Sequence, residues 1–101
     1  MEAMISDNVH TILTGIATRL RAERLARNEP QARFAARLGI SVPTLRRLEQ
    51  GDASAQIGHW LAALEVLGRL RDAESLLAPR YSLFDAAAEA PKARQRARRR
   101  T

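Results

Sequence analysis

A short predicted helix near the middle of the chain carries the side chains best suited to a chemical role. Arg46, Arg47 and Gln50 share one face of it at helical spacing, and no acidic residue lies on that face. Arginine can form two hydrogen bonds to guanine in the major groove of B-DNA, and glutamine can form two to adenine. These residues therefore predict contact with the base edges of duplex DNA.

Other kinds of site lack the residues that they need. His10 and His59 are the only histidines, and neither has a second metal ligand at a useful spacing. Ser41 and Thr44 have no positioned base, and no glycine-rich phosphate loop is present. The sequence also has no cysteine, so a disulfide framework and a thiolate metal site are excluded. We expect no catalytic residue, no metal and no cofactor.

Two predicted helices joined by a tight turn position the arginine face. In the first helix, the large apolar residues Phe34 and Leu38 share one side. Gly39 follows them, and because glycine adopts positive φ without steric cost, it predicts a left-handed C-cap. Ser41 is a candidate N-cap for the second helix, and Pro43 is tolerated in the first turn of that helix.

The stretch of residues 31–51 contains an ordered set made up of Gln31, Ala35, Gly39, Leu45, Leu48, Glu49 and Gly51. This set resembles the helix-turn-helix of the Cro/cI-like (Xre) family of DNA-binding regulators, and the likeness extends over about residues 12–78. One departure is Pro30, where the family usually has Ser or Thr. The resemblance implies an all-α, lambda-repressor-like domain of five helices.

The resemblance also implies that the second helix of the motif enters the major groove. Gln31, with neighbouring backbone N–H groups, is expected to hold a phosphate. Val42 and Pro43 offer no side-chain hydrogen bond and could contact a thymine methyl group, which suggests a reader that relies partly on DNA shape. The full set expected to contact DNA is Gln31, Arg33, Ser41, Val42, Pro43, Thr44, Arg46, Arg47 and Gln50.

An amphipathic first helix is predicted from Val9 to about Arg27, because apolar residues recur at helical spacing from Val9 to Leu20. The next position on that stripe is Arg24, where a desolvated charge needs a partner. Glu49 lies on the inward face of the third helix and is the expected partner, as a similar pair in the Cro/cI-like family also implies. The alternative is that both side chains extend to water.

Two more helices are expected to close the all-α core. Ser54 is a candidate N-cap for a fourth helix, whose apolar stripe begins at Ile57 and ends before Gly68. Trp60, on that stripe, is expected in the core, with a contact surface as the alternative. A fifth helix is predicted over about residues 69–78.

Large apolar residues continue after this core is complete. We interpret them as a homodimer surface, because a two-fold dimer matches two DNA half-sites one helical turn apart. The alternative is that they fold back over the same core. The residues concerned are Leu76, Leu77, Tyr81, Leu83 and Phe84.

Positive charge is concentrated in two regions of a chain whose net charge is +6. Positions 19–47 hold eight arginines against two glutamates, an excess typical of a phosphate-binding surface, although a solvated helix face is the alternative. The second region is the tail from residue 86, which has no large apolar residue and is expected to be disordered when free.

The tail is expected to contact DNA, along phosphates or in a minor groove. Alternatively, it is only a solubilising end or it docks on an acidic protein. Its basic residues are Lys92, Arg94, Arg96, Arg98, Arg99 and Arg100.

The sequence thus divides into a flexible N-terminus over residues 1–8, a helix-turn-helix domain with dimerisation elements over 9–85 and a basic disordered tail over 86–101. No apolar run reaches the ~20 residues of a membrane span, and the N-terminus lacks the pattern of a signal peptide. We therefore expect a cytoplasmic protein with no membrane partner.

The favoured function is sequence-specific binding of double-stranded DNA by a homodimeric repressor of its own or a nearby short operon. Small proteins of the Cro/cI-like family often resemble antitoxins, so one alternative is an antitoxin that binds operator DNA and holds a toxin through its C-terminal part. The other alternative is a protein-interaction module that has lost DNA binding.

Overall fold

Four α-helices and a short 3-10 helix form the regular structure of the protein in a computed structural model that describes residues 5–80. The helices are α1 (Asp7–Ala26), α2 (Gln31–Leu38), α3 (Val42–Glu49) and α4 (Ile57–Val66), and the 3-10 helix is Leu70–Ala73. No strand occurs within the described residues, and the all-α prediction is confirmed. In the same range, none of the helices combines the length and the hydropathy needed to cross a membrane.

The core lies where the four α-helices meet. Its largest fully buried side chains are Phe34 of α2 and Leu45 and Leu48 of α3. Burial of one such side chain contributes about 1.5 to 3 kcal/mol, so these residues fix how α2 and α3 lie against each other. The other buried residues of the cluster are Leu20, Ala35, Ala63 and Leu67.

The first helix begins two residues earlier than predicted. Ser6 caps α1, because its Oγ accepts a hydrogen bond from the backbone N–H of Val9 at 3.1 Å. At the other end, Asn28 adopts a left-handed conformation with φ of 54°. Because this cap turns the chain, α1 ends at Ala26 and residue 30 can begin a new direction.

The apolar stripe of α1 is buried only in part. Leu20 and Arg24 are buried as predicted, together with Ala17. Val9 and Ile16, on the same stripe, are exposed. The helix is therefore confirmed, but the apolar side of its first half is not covered by the described residues.

The start of α4 differs from the prediction. Gln56, not Ser54, is its N-cap residue, and the Ser54 hydroxyl instead donates to Asp52 Oδ1 at 2.7 Å. Ile57, the first residue of the expected core stripe, is 65% exposed. The predicted end is confirmed, since Gly68 has φ of 75°.

The fifth element is shorter than predicted. In place of an α-helix over residues 69–78, a 3-10 helix spans Leu70–Ala73 and is followed by turns. Leu70 and Leu76 are exposed, so little apolar burial supports a longer helix, and short helices depend on such burial. Leu77 then takes φ of 57°, which ends any helical continuation.

Candidate nucleic-acid interface

The turn between α2 and α3 depends on Gly39. Its φ of 76° and ψ of 29° are left-handed, so the predicted C-cap is confirmed. The N–H of Gly39 donates to Ala36 O at 3.1 Å, and the N–H of Ile40 donates to Ala35 O at 3.0 Å. These bonds satisfy carbonyls at the end of α2 and turn the chain sharply into α3.

Ser41 begins α3 and is the predicted N-cap. Its backbone is extended, and its Oγ accepts a hydrogen bond from the backbone N–H of Thr44 at 3.2 Å. The hydroxyl groups of Ser41 and Thr44 are also 2.9 Å apart. Pro43 lies in the first turn, where its missing N–H costs no intrahelical bond.

One face of α3 is buried and the opposite face is exposed. Leu45, Leu48 and Glu49 point inward, and Glu49 is only 8% exposed. Two of the residues expected to contact DNA, Val42 and Thr44, are half-buried, and Val42 packs against the core with part of its surface. The residues left exposed on and beside α3 are Ser41, Pro43, Arg46, Arg47 and Gln50.

A buried carboxylate fixes the rotation of α3. Arg24 Nε donates to Glu49 Oε2 at 2.6 Å and Arg24 Nη2 donates to Glu49 Oε1 at 3.0 Å. Both side chains are less than one-tenth exposed, so the two charges are desolvated together. The ion pair joins α1 to α3 behind the arginine face and gives each buried charge a partner.

Gln31, the first residue of α2, joins the same pair. Its Nε2 donates to Glu49 Oε1 at 3.2 Å, and its side chain is half-buried. Glu49 therefore contacts α1 and α2 as well as belonging to α3. This contact orients the Gln31 amide at the N-terminus of α2, beside the exposed Arg33.

The cluster of eight arginines over positions 19–47 separates into two groups. Three of them form ion pairs with glutamates: Arg24 with Glu49, Arg27 with Glu23 and Arg37 with Glu29. The other five are exposed and form no ion pair within residues 5–80. These five are Arg19, Arg21, Arg33, Arg46 and Arg47.

Asp52 lies just after α3. Hydrogen bonds from the backbone N–H and the hydroxyl of Ser54, together with the charge of Arg47, lower the pKa of Asp52 below its ordinary value. Asp52 thus stays ionised over a wider pH range. The backbone N–H of Asp52 donates to Arg47 O at 3.1 Å, so its negative charge lies close to the C-terminal end of the arginine face.

Sequence reasoning assigned no role to Glu29, which the structure buries between α1 and α2. Its carboxylate accepts hydrogen bonds from Arg37 Nη1 at 2.6 and 2.8 Å, and its carbonyl oxygen accepts one from Arg24 Nη1 at 2.9 Å. Glu29 therefore holds the loop that precedes α2. No local pattern marks a loop glutamate as buried, because its burial depends on residues distant in sequence.

Of the predicted dimer and tail residues, only Leu76 and Leu77 fall within the described part of the chain. Leu76 and Leu77 are exposed, and the rest of both predicted sets lies outside the described residues. Those outside are Tyr81, Leu83, Phe84, Lys92, Arg94, Arg96, Arg98, Arg99 and Arg100.

Within residues 5–80, no cluster of three or more His, Asp or Glu side chains could hold a metal ion. The chemistry that the arginine face offers is hydrogen bonding and charge. A short cationic helix, presented outward by a glycine turn and held from behind by a buried ion pair, defines a helix-turn-helix protein.

The chain belongs to the helix-turn-helix domain family, whose sequence profile matches residues 9–77. That range includes all of α1 except its first two residues, α2 to α4 and the 3-10 helix, and the match is consistent with the resemblance to Cro/cI-like regulators. A search of curated proteins finds none that matches the sequence. Membership in this family supports a DNA-binding regulator.

Proposed function

We propose that this protein is a cytoplasmic transcriptional regulator that binds a specific double-stranded DNA sequence and acts as a homodimeric repressor of its own or a nearby short operon. One observation carries this proposal. The exposed face of α3 presents Arg46 and Arg47 without an ion pair to any described residue, opposite the buried side chains that fix the helix.

In the proposed complex, α3 lies in the major groove of B-DNA. Arg46 and Arg47 donate hydrogen bonds to guanine, and Gln50 pairs with adenine. The Ser41 hydroxyl lies at the N-terminal end of the helix, and Pro43 offers an apolar surface to a thymine methyl group. This arrangement uses the exposed side of α3 and leaves its buried side in the core.

Phosphate contacts come from α2 in this proposal. The N-cap residue of α2 is Pro30, which makes no side-chain capping bond. The first N–H groups of α2 therefore have no side-chain acceptor from the cap and can donate to a phosphate. Gln31, held by Glu49, and the exposed Arg33 lie in the same turn and add hydrogen bonds and charge.

Sequencing the DNA fragments that the purified protein retains tests the proposal and supplies an operator. Fluorescence anisotropy on that operator should then show that Arg46→Ala and Arg47→Ala each lose about 1 to 3 kcal/mol of preference for it over random DNA. Arg71→Ala is the matched control, because Arg71 is also exposed and forms no ion pair within residues 5–80. Equal loss of preference in all three variants would contradict the proposal.

The two alternative functions stay predictions. The antitoxin hypothesis needs the chain from Tyr81 onward, which lies outside the described residues. A protein-interaction module without DNA binding would retain no preferred fragment, and any residual DNA binding would show no sequence preference at any salt concentration.

A further inference from the structure

A second surface of the molecule is apolar and includes no residue of α3. A groove of about 470 Å³ runs between α1, α4 and the 3-10 helix. A second hollow of about 320 Å³ covers the first half of α1, and the two share Leu13 and Ile16. We call this continuous surface the α1–α4 face, and its main residues are Val9, Ile12, Ile16, Ile57, Trp60 and Leu64.

The α1–α4 face exposes large aliphatic side chains side by side. Ile12 is 64% exposed and Ile57 is 65% exposed, and Val9 and Ile16 are exposed with them. Single exposed apolar residues are ordinary on a monomer, but contiguous ones mark an interaction site. The first half of α1 is therefore an amphipathic helix whose apolar side is not covered by any described residue.

The charges at the edge of this face balance one another. Its rim includes the cations Arg19 and Arg69 and the acids Glu23 and Asp72. Arg69 bonds to Glu23 at 2.7 Å and to Asp72 at 2.8 Å, so both acids are already paired. A balanced apolar face does not suit DNA or an acidic protein. It suits an equally apolar and neutral surface.

We propose that the α1–α4 face binds the same face of a second copy of this chain. The ridge formed by Val9 and Ile12 of one copy would enter the α1–α4 groove of the other, and a two-fold axis would repeat the contact. The formal charges of the four rim residues sum to zero, so two identical faces meet without net charge repulsion. The inference deepens the proposed function by naming the interface of its homodimer.

The size of the face predicts a weak dimer. From residue 8 to residue 23, α1 spans about 24 Å, and two adjacent helices are about 20 Å wide. The footprint of the face is therefore about 480 Å². This area is smaller than the ~800 Å² per partner of a standard interface. We therefore expect dissociation in the micromolar range, with the dimer fully formed only at higher concentration or on two adjacent half-sites.

Sedimentation equilibrium of the full chain without DNA tests the interface. The weight-average mass of the wild type should rise with concentration from 11.2 kDa towards twice that value. Ile12→Glu should weaken dimerisation at least about tenfold. Leu25→Glu is the matched control, because Leu25 is another exposed apolar residue of α1 outside both hollows, and it should dimerise like the wild type.

Trp60 provides a second measurement, because it lines the groove and is the only tryptophan of the chain. Its emission should shift to shorter wavelength as the wild type dimerises and should stay unchanged with concentration in Ile12→Glu. A wild type that stays monomeric, or an Ile12→Glu variant that dimerises normally, would overturn the inference. So would a red shift in Phe84→Glu at constant monomer mass, which would identify the chain's own C-terminal segment as the occupant.

Failure of this inference is separable from failure of the proposed function. A monomeric protein that still prefers a particular DNA sequence would overturn the interface alone. A dimer that depends on Ile12 and has no DNA preference would overturn the proposed function alone.

Discussion

Glu49 is the residue on which the orientation of the arginine face depends most. Its carboxylate bonds to Arg24 of α1 and to Gln31 of α2, while its own backbone belongs to α3. Three helices therefore meet at two carboxylate oxygens. A buried ion pair does not by itself imply a large net stabilisation, but removing one partner leaves the other buried and uncompensated.

Glu49→Ala should lower the free energy of unfolding by about 3 to 5 kcal/mol, because Arg24 then loses its carboxylate in a buried position. Urea denaturation followed by circular dichroism measures the change. Glu65→Ala is the control, since Glu65 is exposed and forms no ion pair within the described residues, and it should change stability by less than ~0.5 kcal/mol. A Glu49→Ala variant as stable as this control would show that Arg24 reaches water instead.

Glu23 makes stability depend on pH at the acid end. The hydrogen bond from Arg27, and then the charges of Arg27 and Arg69, lower the pKa of Glu23 below its ordinary 4.5. A lowered folded pKa means that the contribution of Glu23 is complete above pH 4.5 and is lost as pH falls towards the folded pKa.

The stability advantage of the wild type over Glu23→Gln should therefore be constant at neutral pH and shrink below pH 4.5. Thermal unfolding at a series of pH values measures it. Glu74→Gln, at an exposed position without an ion pair in residues 5–80, should show no such change. An advantage that persists undiminished in acid would contradict the role given to Glu23.

At the level of elements, two glycines shape the chain on either side of α3. Gly39 and Gly51 both have φ of 76°. A Cβ on Gly39 would meet no atom within 4 Å, whereas a Cβ on Gly51 would lie 3.2 Å from Thr14 Cα in α1. The first position thus demands only a backbone conformation, and the second also demands close approach to another helix.

Gly39→Ala should cost about 1 to 2 kcal/mol of stability for the left-handed backbone. Gly51→Ala should cost more, because α1 must also move away from the new methyl group. Denaturant titration of both variants compares them. If both variants lost the same stability, α1 would have to move away from the Gly51→Ala methyl group near Thr14 without a free-energy cost.

Local chemistry made the helix-turn-helix predictable from sequence. Gly39, Ser41 and Asn28 act on their own neighbouring backbone, so residue type alone indicates each cap. Periodicity also placed Arg24 on the stripe that continues from Leu20, and the structure buries both. These signals need no knowledge of what lies elsewhere in the molecule.

Predictions that depended on distant partners were less successful. Val9 and Ile57 follow the apolar stripes of their helices, but nothing in the sequence reveals that no described element covers them. The fifth helix failed for the same reason, since Leu70 and Leu76 find no burial there. Glu29 shows the converse, because a polar loop residue is buried by contacts that spacing does not encode.

At the level of the whole molecule, the arginine face of α3 and the apolar α1–α4 face share no residue. Exposed arginines without ion pairs among residues 5–80 include Arg46 and Arg47, whereas the α1–α4 face is apolar and balanced. In the proposed dimer, one surface contacts DNA and the other joins the copies. The last ten residues add six positive charges that the body does not balance.

Removal of residues 91–101 should weaken operator binding and reduce its salt dependence, because each lost phosphate contact lowers the slope of log K against log salt by about 0.9. The preference for operator over random DNA should remain. Anisotropy titrations at several salt concentrations measure both quantities. If the truncated chain lost its sequence preference, the contacts that read base edges would have to be assigned to the tail and not to α3.

A loss-of-contact experiment tests the claim that the outward face of α3 reads base edges. Wild type and Arg46→Ala are titrated against operators in which each base pair is changed in turn. At one base pair per half-site, a base change should weaken binding of the wild type by about 1 to 3 kcal/mol and leave binding of the variant unchanged. At every other base pair, the variant should show the same dependence on the base as the wild type. An unchanged pattern at every position, in Arg46→Ala and Arg47→Ala alike, would contradict the claim.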